Sequence, residues 1–190
     1  FPVLDDAVEV LESSRVYSSG DYREVAEEVQ RGAFAITGDL AEQQVQEIRD
    51  ILAENIREGA DMKAFVNNVQ ARLEEGGPLS ESRLENIFRT NVQSSFSNGA
   101  DRALSSPMVV DAFPSRAYYA TTDKRVRHTH IAMEKLGLNG TNIYRADDPT
   151  WLKFRPPWDY ACRCSWSPVS VEQAARRGVE EAMAWWERAK

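Results

Sequence analysis

Apolar residues recur three and four apart through the first half of this chain, as far as Ala103, and then lose that period. A helix places residues i, i+3, i+4 and i+7 on one face. A period kept to that point and then dropped calls for packed helices followed by something other than a helical bundle. Asp21 with Glu24 has capping-box spacing at the head of Tyr22–Arg31. Asp39 with Glu42 repeats it before Leu40, Val45, Ile48, Ile51, Leu52 and Ile56, which fall on one broad stripe closed by Gly59. Met62, Phe65, Val66, Val69 and Leu73 form the next stripe, and Gly76-Gly77-Pro78 breaks it. Ser82 with Glu85 opens a further helix with Leu84, Ile87, Phe88, Val92, Phe96 and Ala103 inward, ending before Ser105-Ser106-Pro107. The stripes read as helix–helix core. Phe34–Gly38 is a short apolar link to which periodicity assigns no element.

Beyond Pro107 the residue types change. Met108–Ala112 is short and carries β-branched residues, and Arg116–Thr122 is aromatic and Thr-rich, which suits a strand. A charged turn, a helix from about His128 to Leu136 and a Gly/Asn loop over Gly137–Asn142 follow. Asp147-Asp148-Pro149 and Pro156-Pro157 argue against regular helix through that stretch. Ser170 with Gln173 then opens a helix to the end, whose Met183, Trp185 and Trp186 suit a packing edge or a subunit interface. The expectation is an α+β fold: a mainly helical region over 1–106, a small irregular module with short strands over 107–169, and a C-terminal helix over 170–190.

Composition narrows the function classes. With 190 residues, 42% hydrophobic and 28% charged, the chain can bury a core and is not a disordered acidic tail. No apolar run approaches the roughly 18 residues of a membrane span, so no membrane partner is expected. Two cysteines do not make a disulfide scaffold. The chain opens on Phe1 with Asp5, Asp6 and Glu9 and no basic n-region, which reads as part of a longer protein rather than as a signal peptide. The net charge of −7 argues against a general nucleic-acid coat. The charge is uneven, however. Between Phe113 and Trp166 nine Lys/Arg face five acids, a net +4 that leaves −11 for the rest. Such a block suits either local ion pairing or a contact surface for nucleic acid or an acidic partner.

The same block holds the only two histidines, His128 and His130, and the only two cysteines, Cys162 and Cys164. In an extended segment residues i and i+2 share a face, so Cys162 and Cys164 can offer two sulfurs to one metal, whereas a disulfide between them would be strained. Two thiolates and two imidazoles suit tetrahedral Zn²⁺, which makes His128, His130, Cys162 and Cys164 the candidate ligands. A helical His-x-His would turn its rings about 200° apart, so His128 and His130 can share an ion only outside a helix. The Cys-x-Cys spacing also differs from the Cys-x₂₋₄-Cys of zinc fingers. Three of these donors with a carboxylate such as Asp123 are an alternative, and so are cysteines that merely pack while His130 hydrogen-bonds across the loop. No phosphate-binding Gly-rich loop, Gly-x-Ser-x-Gly or His-Glu-x-x-His occurs. Asp123, Arg125, Arg127 and His130 could serve a small ribonuclease, with His130 as general base and the arginines steadying phosphate charge. They could equally form a structural network.

Three segments in order resemble one known family. They are Arg83–Asn91 with its Arg89-Thr90, Asp123-Lys124-Arg125-Val126-Arg127-His128-Thr129-His130, and Asp148-Pro149-Thr150-Trp151 followed by Pro156-Pro157-Trp158-Asp159-Tyr160-Ala161-Cys162-Arg163-Cys164. The second matches an Asp-x-Arg-x-Arg-x-x-His signature and the third a Pro-Pro…Cys-Arg-Cys ending. Together they are similar to the phage Mu F-like head morphogenesis proteins, minor head or minor capsid proteins of tailed phages. In that match His130 takes the signature histidine and His128 is extra, which favours His130, Cys162 and Cys164 as the linked set. The resemblance implies a virion or procapsid protein in the phage head interior or head–neck region, present in the host cytoplasm during assembly. It implies portal or major capsid protein as partner and a structural role without turnover. Double-stranded DNA is a further expected partner, met by Lys124, Arg125, Arg127 and Arg163. The ribonuclease reading is the alternative.

Overall fold

The computed structural model describes residues 2–18, 21, 24, 33–36, 40–73, 79–159, 162–180, 182 and 184. The Tyr22–Arg31 helix (Glu24 apart), the Asp39 cap, the Gly76-Gly77-Pro78 break and Met183, Trp185 and Trp186 lie outside the described residues. The chain forms two compact units, residues 1–103 and 104–190, and it has the α+β architecture that the change of period requires.

In the first unit, α1 (Pro2–Ser13) is followed by the two-residue strands β1 (Val16–Tyr17) and β2 (Phe34–Ala35). Among the described residues, three longer helices follow: α2 (Glu42–Glu58), α3 (Met62–Arg72) and α4 (Glu81–Ala103). The α2 stripe is the centre of the core, with Val45, Ile48, Ile51, Leu52 and Ile56 all buried. Each such side chain contributes about 1.5–3 kcal/mol relative to exposure. Phe65, Val66 and Val69 of α3 and Leu84 and Ile87 of α4 close over it, while Leu40, Leu73, Phe88 and Val92 pack at its margin. The apolar link is part of this core. Phe34 and Ile36 are buried, and β2 pairs parallel with β1 through Val16↔Phe34 and Tyr17↔Ala35.

Helix ends follow local chemistry. Gly59 caps α2 with φ +66°, and its N–H meets the last carbonyls. At the other end the N-cap is Ala41, whose backbone N–H donates to the Gln44 side chain at 3.0 Å. Asp61 caps α3 by accepting from the Ala64 N–H at 2.9 Å.

Phe96 departs from the expected stripe, being 36% exposed. The distal half of α4 turns Ser95 and Gly99 inward, one helical turn apart, and Phe96 follows about 100° further round. Gly99 lies against the backbone of α1: a Cβ there would sit 2.7 Å from the Ala7 nitrogen and 2.9 Å from its Cα. The two helices therefore cross at a spacing that only glycine permits. An exposed ion pair, Arg102–Glu9 at 2.8 Å, flanks the crossing.

The second unit is built on an antiparallel sheet of order β4-β3-β5, with β3 (Ser115–Tyr119) between β4 (Ile143–Arg145) and β5 (Ser165–Val169). Ala117 pairs with Ile143 on one side and Ser167 on the other. Alternation along β3 gives the sheet two buried faces. Ala117, Ile143 and Val169 meet Ala174, Val179 and Ala182 on one face. Tyr118 and Tyr144 meet Met133, Trp151, Cys162 and Cys164 on the other. Arg116 is also buried, donating to the carbonyls of Phe113 (2.7 Å) and Ser115 (3.1 Å) with its guanidinium over the Trp166 ring. It is therefore not part of a charged surface.

Several expectations for this half are corrected. Pro107–Ala112 is a short helix, α5, because Pro107 at the first position starts a turn that the valines alone would not favour. The central strand stops at Tyr119. The helix expected from His128 to Leu136 is α6 (His128–Ala132) followed by a 3₁₀ turn at Met133–Lys135. Ahead of the Pro156-Pro157 pair lies α7 (Pro149–Phe154), with Asp148 accepting from the Thr150 N–H at 2.7 Å. Pro149 at its first position begins the helix rather than forbidding it. The Pro156-Pro157 peptide is cis. Ser170 and Gln173 form the expected capping box, but α8 ends at Arg176. Gly178 follows with φ +83°, which an α-helix cannot accommodate.

Candidate metal centre

The His-containing and Cys-containing motifs meet in the second unit. His130 comes from α6, and Cys162 and Cys164 from the segment that leads into β5. The sulfurs are 4% and 2% exposed by residue, while Arg163 between them is exposed, as alternation in an extended segment predicts. Helical geometry separates the histidines. His130 is 2% exposed and His128, two residues earlier on the same short helix, faces outward. The structure thus brings together His130, Cys162 and Cys164 and leaves His128 apart.

The Nδ1 atom of His130 lies 3.3 Å from the Cys164 sulfur and 3.5 Å from the Cys162 sulfur. One ligand atom from each of the three residues lies within 4.8 Å of the others. On the far side of the ring, Nε2 is buried without a hydrogen-bond partner and stands 3.7 Å from Asp159 Oδ2. Trp158 stacks on the imidazole, with ring centroids 4.1 Å apart and planes 20° apart. Its indole N–H donates to the Tyr118 hydroxyl at 3.3 Å, and Phe154 packs edge-on against its other side. These contacts fix the ring plane.

The surroundings distinguish the two sulfurs. The Cys162 thiol donates to Cys164 and holds the Cys164 thiol below its ordinary range, with help from the Tyr118 hydroxyl, the Thr121 N–H and His130 against the opposing effect of burial. That same bond, followed by burial, pushes Cys162 up. Burial and then Cys164 push Tyr118 up. Neither cysteine is in a disulfide. Two soft sulfurs and an imidazole nitrogen converging on one point are the donor set that zinc prefers.

Asp123, the carboxylate suggested as a further ligand, is not in the cluster. It receives the Arg163 side chain, with one N–H···O contact at 2.9 Å, and the backbone N–H of Arg125 at 2.8 Å. Arg163, with the Arg125 N–H adding to it, lowers the Asp123 carboxyl to about 2. The carboxylate near the imidazole is Asp159, which also pairs with Arg127 at 3.3 Å. Asp159, Trp158 and Tyr118 were not singled out by sequence reasoning. Their signal was the position of Trp158-Asp159 just before Cys162-Arg163-Cys164 and of Tyr118 in a strand.

The cation cluster divides accordingly. Arg125 and Arg163 flank Asp123, Arg127 is on Asp159, and Lys124 is exposed. The ribonuclease set is likewise split between two ion-paired groups. Its histidine is buried with Nδ1 on the sulfurs, whereas a general base must reach the proton it removes.

The family described as phage Mu protein F like protein matches residues 46–167, more than half of the chain. The Mu-like prophage FluMu F protein of Haemophilus influenzae is 38% identical over 101 residues, 53% of this chain and 22% of that protein. A protein of Escherichia phage Mu, provisionally named capsid assembly protein F, is 26% identical over 101 residues, 53% of this chain and 21% of its own length. The matched segment thus spans about a fifth of each relative. No solved structure matches this chain.

Proposed function

Because this chain belongs to the phage Mu protein F-like family, whose relatives here include a protein named for capsid assembly, we propose that it is a structural minor head protein of a tailed phage or prophage. It acts in head morphogenesis, near the portal or in the capsid interior, through contacts rather than turnover. The observation that carries this reading is the extent of the family match. It runs from within α2, through α3 and α4, to Ser167 just past the His130–Cys162–Cys164 cluster. The match therefore spans helical segments of this chain together with the module that holds the cluster, and not an isolated motif. An acidic helical body offers protein contacts, and the exposed Lys124, Arg125, Arg127 and Arg163 offer phosphate contacts to packaged DNA.

The test is to cross-link assembling particles and identify partners by mass spectrometry. Cross-links to portal or major capsid protein, with the chain present in purified heads, are expected. A chain missing from purified heads and linked to neither protein overturns the assignment. Incubation with RNA and DNA should leave both intact. Degradation that disappears in a folded His130→Ala variant would instead establish a nuclease.

A further inference from the structure

We propose that His130 Nδ1 and the sulfurs of Cys162 and Cys164 bind one zinc ion, with Asp159 as the positioning residue that orients the imidazole. The ion staples α6 to the segment entering β5, and its role is structural.

The distances carry the first part. Zinc bonds of about 2.3 Å to sulfur and 2.0–2.1 Å to nitrogen, at tetrahedral angles, place nitrogen and sulfur about 3.5 Å apart. The observed separations are 3.3 and 3.5 Å. A single Nδ1 directs one in-plane lone pair or one N–H outward. Two sulfurs at nearly equal distance cannot both lie along that line, whereas an ion between the three atoms can. Among the described residues no fourth His, Cys, Asp or Glu joins the group, so the fourth ligand comes from outside these three.

The other ring nitrogen carries the second part. Once Nδ1 binds metal, Nε2 must carry the proton and needs an acceptor. Nε2 is buried, lacks a hydrogen-bond partner, and has the Asp159 carboxylate 3.7 Å away. Arg127 holds that carboxylate from its other side, at 3.3 Å. A carboxylate behind a ligating histidine fixes its tautomer and ring direction. Trp158, stacked on the ring, covers the site. The near-complete burial of all three donors fits a staple and not a centre open to substrate.

The whole chain, purified without chelator, is expected to contain one equivalent of zinc by elemental analysis. Replacement by cobalt should give thiolate-to-metal charge-transfer absorption, and chelation should lower the melting temperature. Cys162→Ser, Cys164→Ser and His130→Gln should each lose the metal, while His128→Ala keeps it. Asp159→Asn should keep the stoichiometry but weaken zinc affinity about 10–100-fold, leaving the melting temperature of the metal-free protein unchanged. Should the cysteine variants fail to fold, the cobalt spectrum and zinc titration of the unaltered chain still decide. No zinc, no charge-transfer band and a melting temperature indifferent to zinc and chelator would overturn the site. Unchanged zinc affinity in Asp159→Asn would overturn the positioning role. None of these outcomes depends on the chain's place in a phage head.

Discussion

His130 Nδ1 and Cys164 Sγ stand 3.3 Å apart across 34 residues of sequence. The contact closes a loop that contains β4 and α7. It also brings together two of the three segments that make the chain resemble its family. Tyr118 ties the segment that carries Trp158 and Cys164 to the central strand, because its hydroxyl receives the Trp158 indole N–H and bonds Cys164. A small sheet with one face filled by such polar-tipped side chains depends on each partner being present.

Gly99→Ala should destabilise the first unit, although Gly→Ala within a helix normally stabilises by up to about 1 kcal/mol. The added Cβ would meet Ala7 backbone atoms at 2.7 and 2.9 Å, and backbone cannot rotate away as a side chain can. Overpacking of this kind typically costs about 1–3 kcal/mol. Urea denaturation with a lowered midpoint and unchanged slope checks it. A raised midpoint would show that α1 and α4 do not cross this closely.

The Asp123–Arg163 pair should be visible by carboxyl titration. Arg163 holds Asp123 down at about 2, against about 3.9 for a free aspartate. A depressed carboxylate favours the fold above its unfolded value, and that contribution is lost as pH falls from about 4 through about 2. NMR titration of the Asp123 side chain in Arg163→Gln should show the midpoint rising. An unmoved midpoint would exclude Arg163 as the main cause.

Tyr144→Phe should unsettle the second unit. The Tyr144 hydroxyl donates to the buried carbonyl of Met133, and removing it strands that acceptor at about 1–3 kcal/mol. Burial, with Asp148 adding to it, also pushes Tyr144 up to about 12. A tyrosine raised above its unfolded value of about 10 favours the fold below that value, and the contribution is lost as pH rises from about 10 through about 12. The check is a phenolate absorbance titration, in which the variant should show one late-titrating tyrosine fewer than the unaltered chain, Tyr118 being raised in both. If the number of late-titrating tyrosines is unchanged by the substitution, the assignment to Tyr144 fails.

Binding to double-stranded DNA, if the exposed cations meet phosphates, should weaken steeply with salt. Lys124→Ala should reduce the logarithmic salt slope by about 1, because the variant neutralises one phosphate fewer. Titrations at several salt concentrations measure both. A flat salt response, or equal slopes for the variant and the unaltered chain, would remove DNA from the proposal.

The helical half was legible because its elements are local. The α2 stripe from Val45 to Ile56 and the Gly59 cap need only neighbours within a few turns, and periodicity records which face turns inward. The pairing of β2 with β1 was not legible, because two residues carry no period. Phe96 was misplaced because the approach of α1, which demands glycine at position 99, comes from elsewhere in the chain. In the second half the residue types alone determined that sulfur and imidazole donors were available, and the i, i+2 rule determined that both sulfurs could face one way. Tertiary structure decided which histidine joins them. A five-residue helix at His128–Ala132 turns one ring in and the other out, and whether so short a segment is helical depends on what packs against it, since so few residues cannot sustain a helix alone. It also decided which carboxylate stands behind the ring. Asp123 and Asp159 are equivalent as acids, but Arg163 draws one away while the turn after the proline pair brings the other to His130.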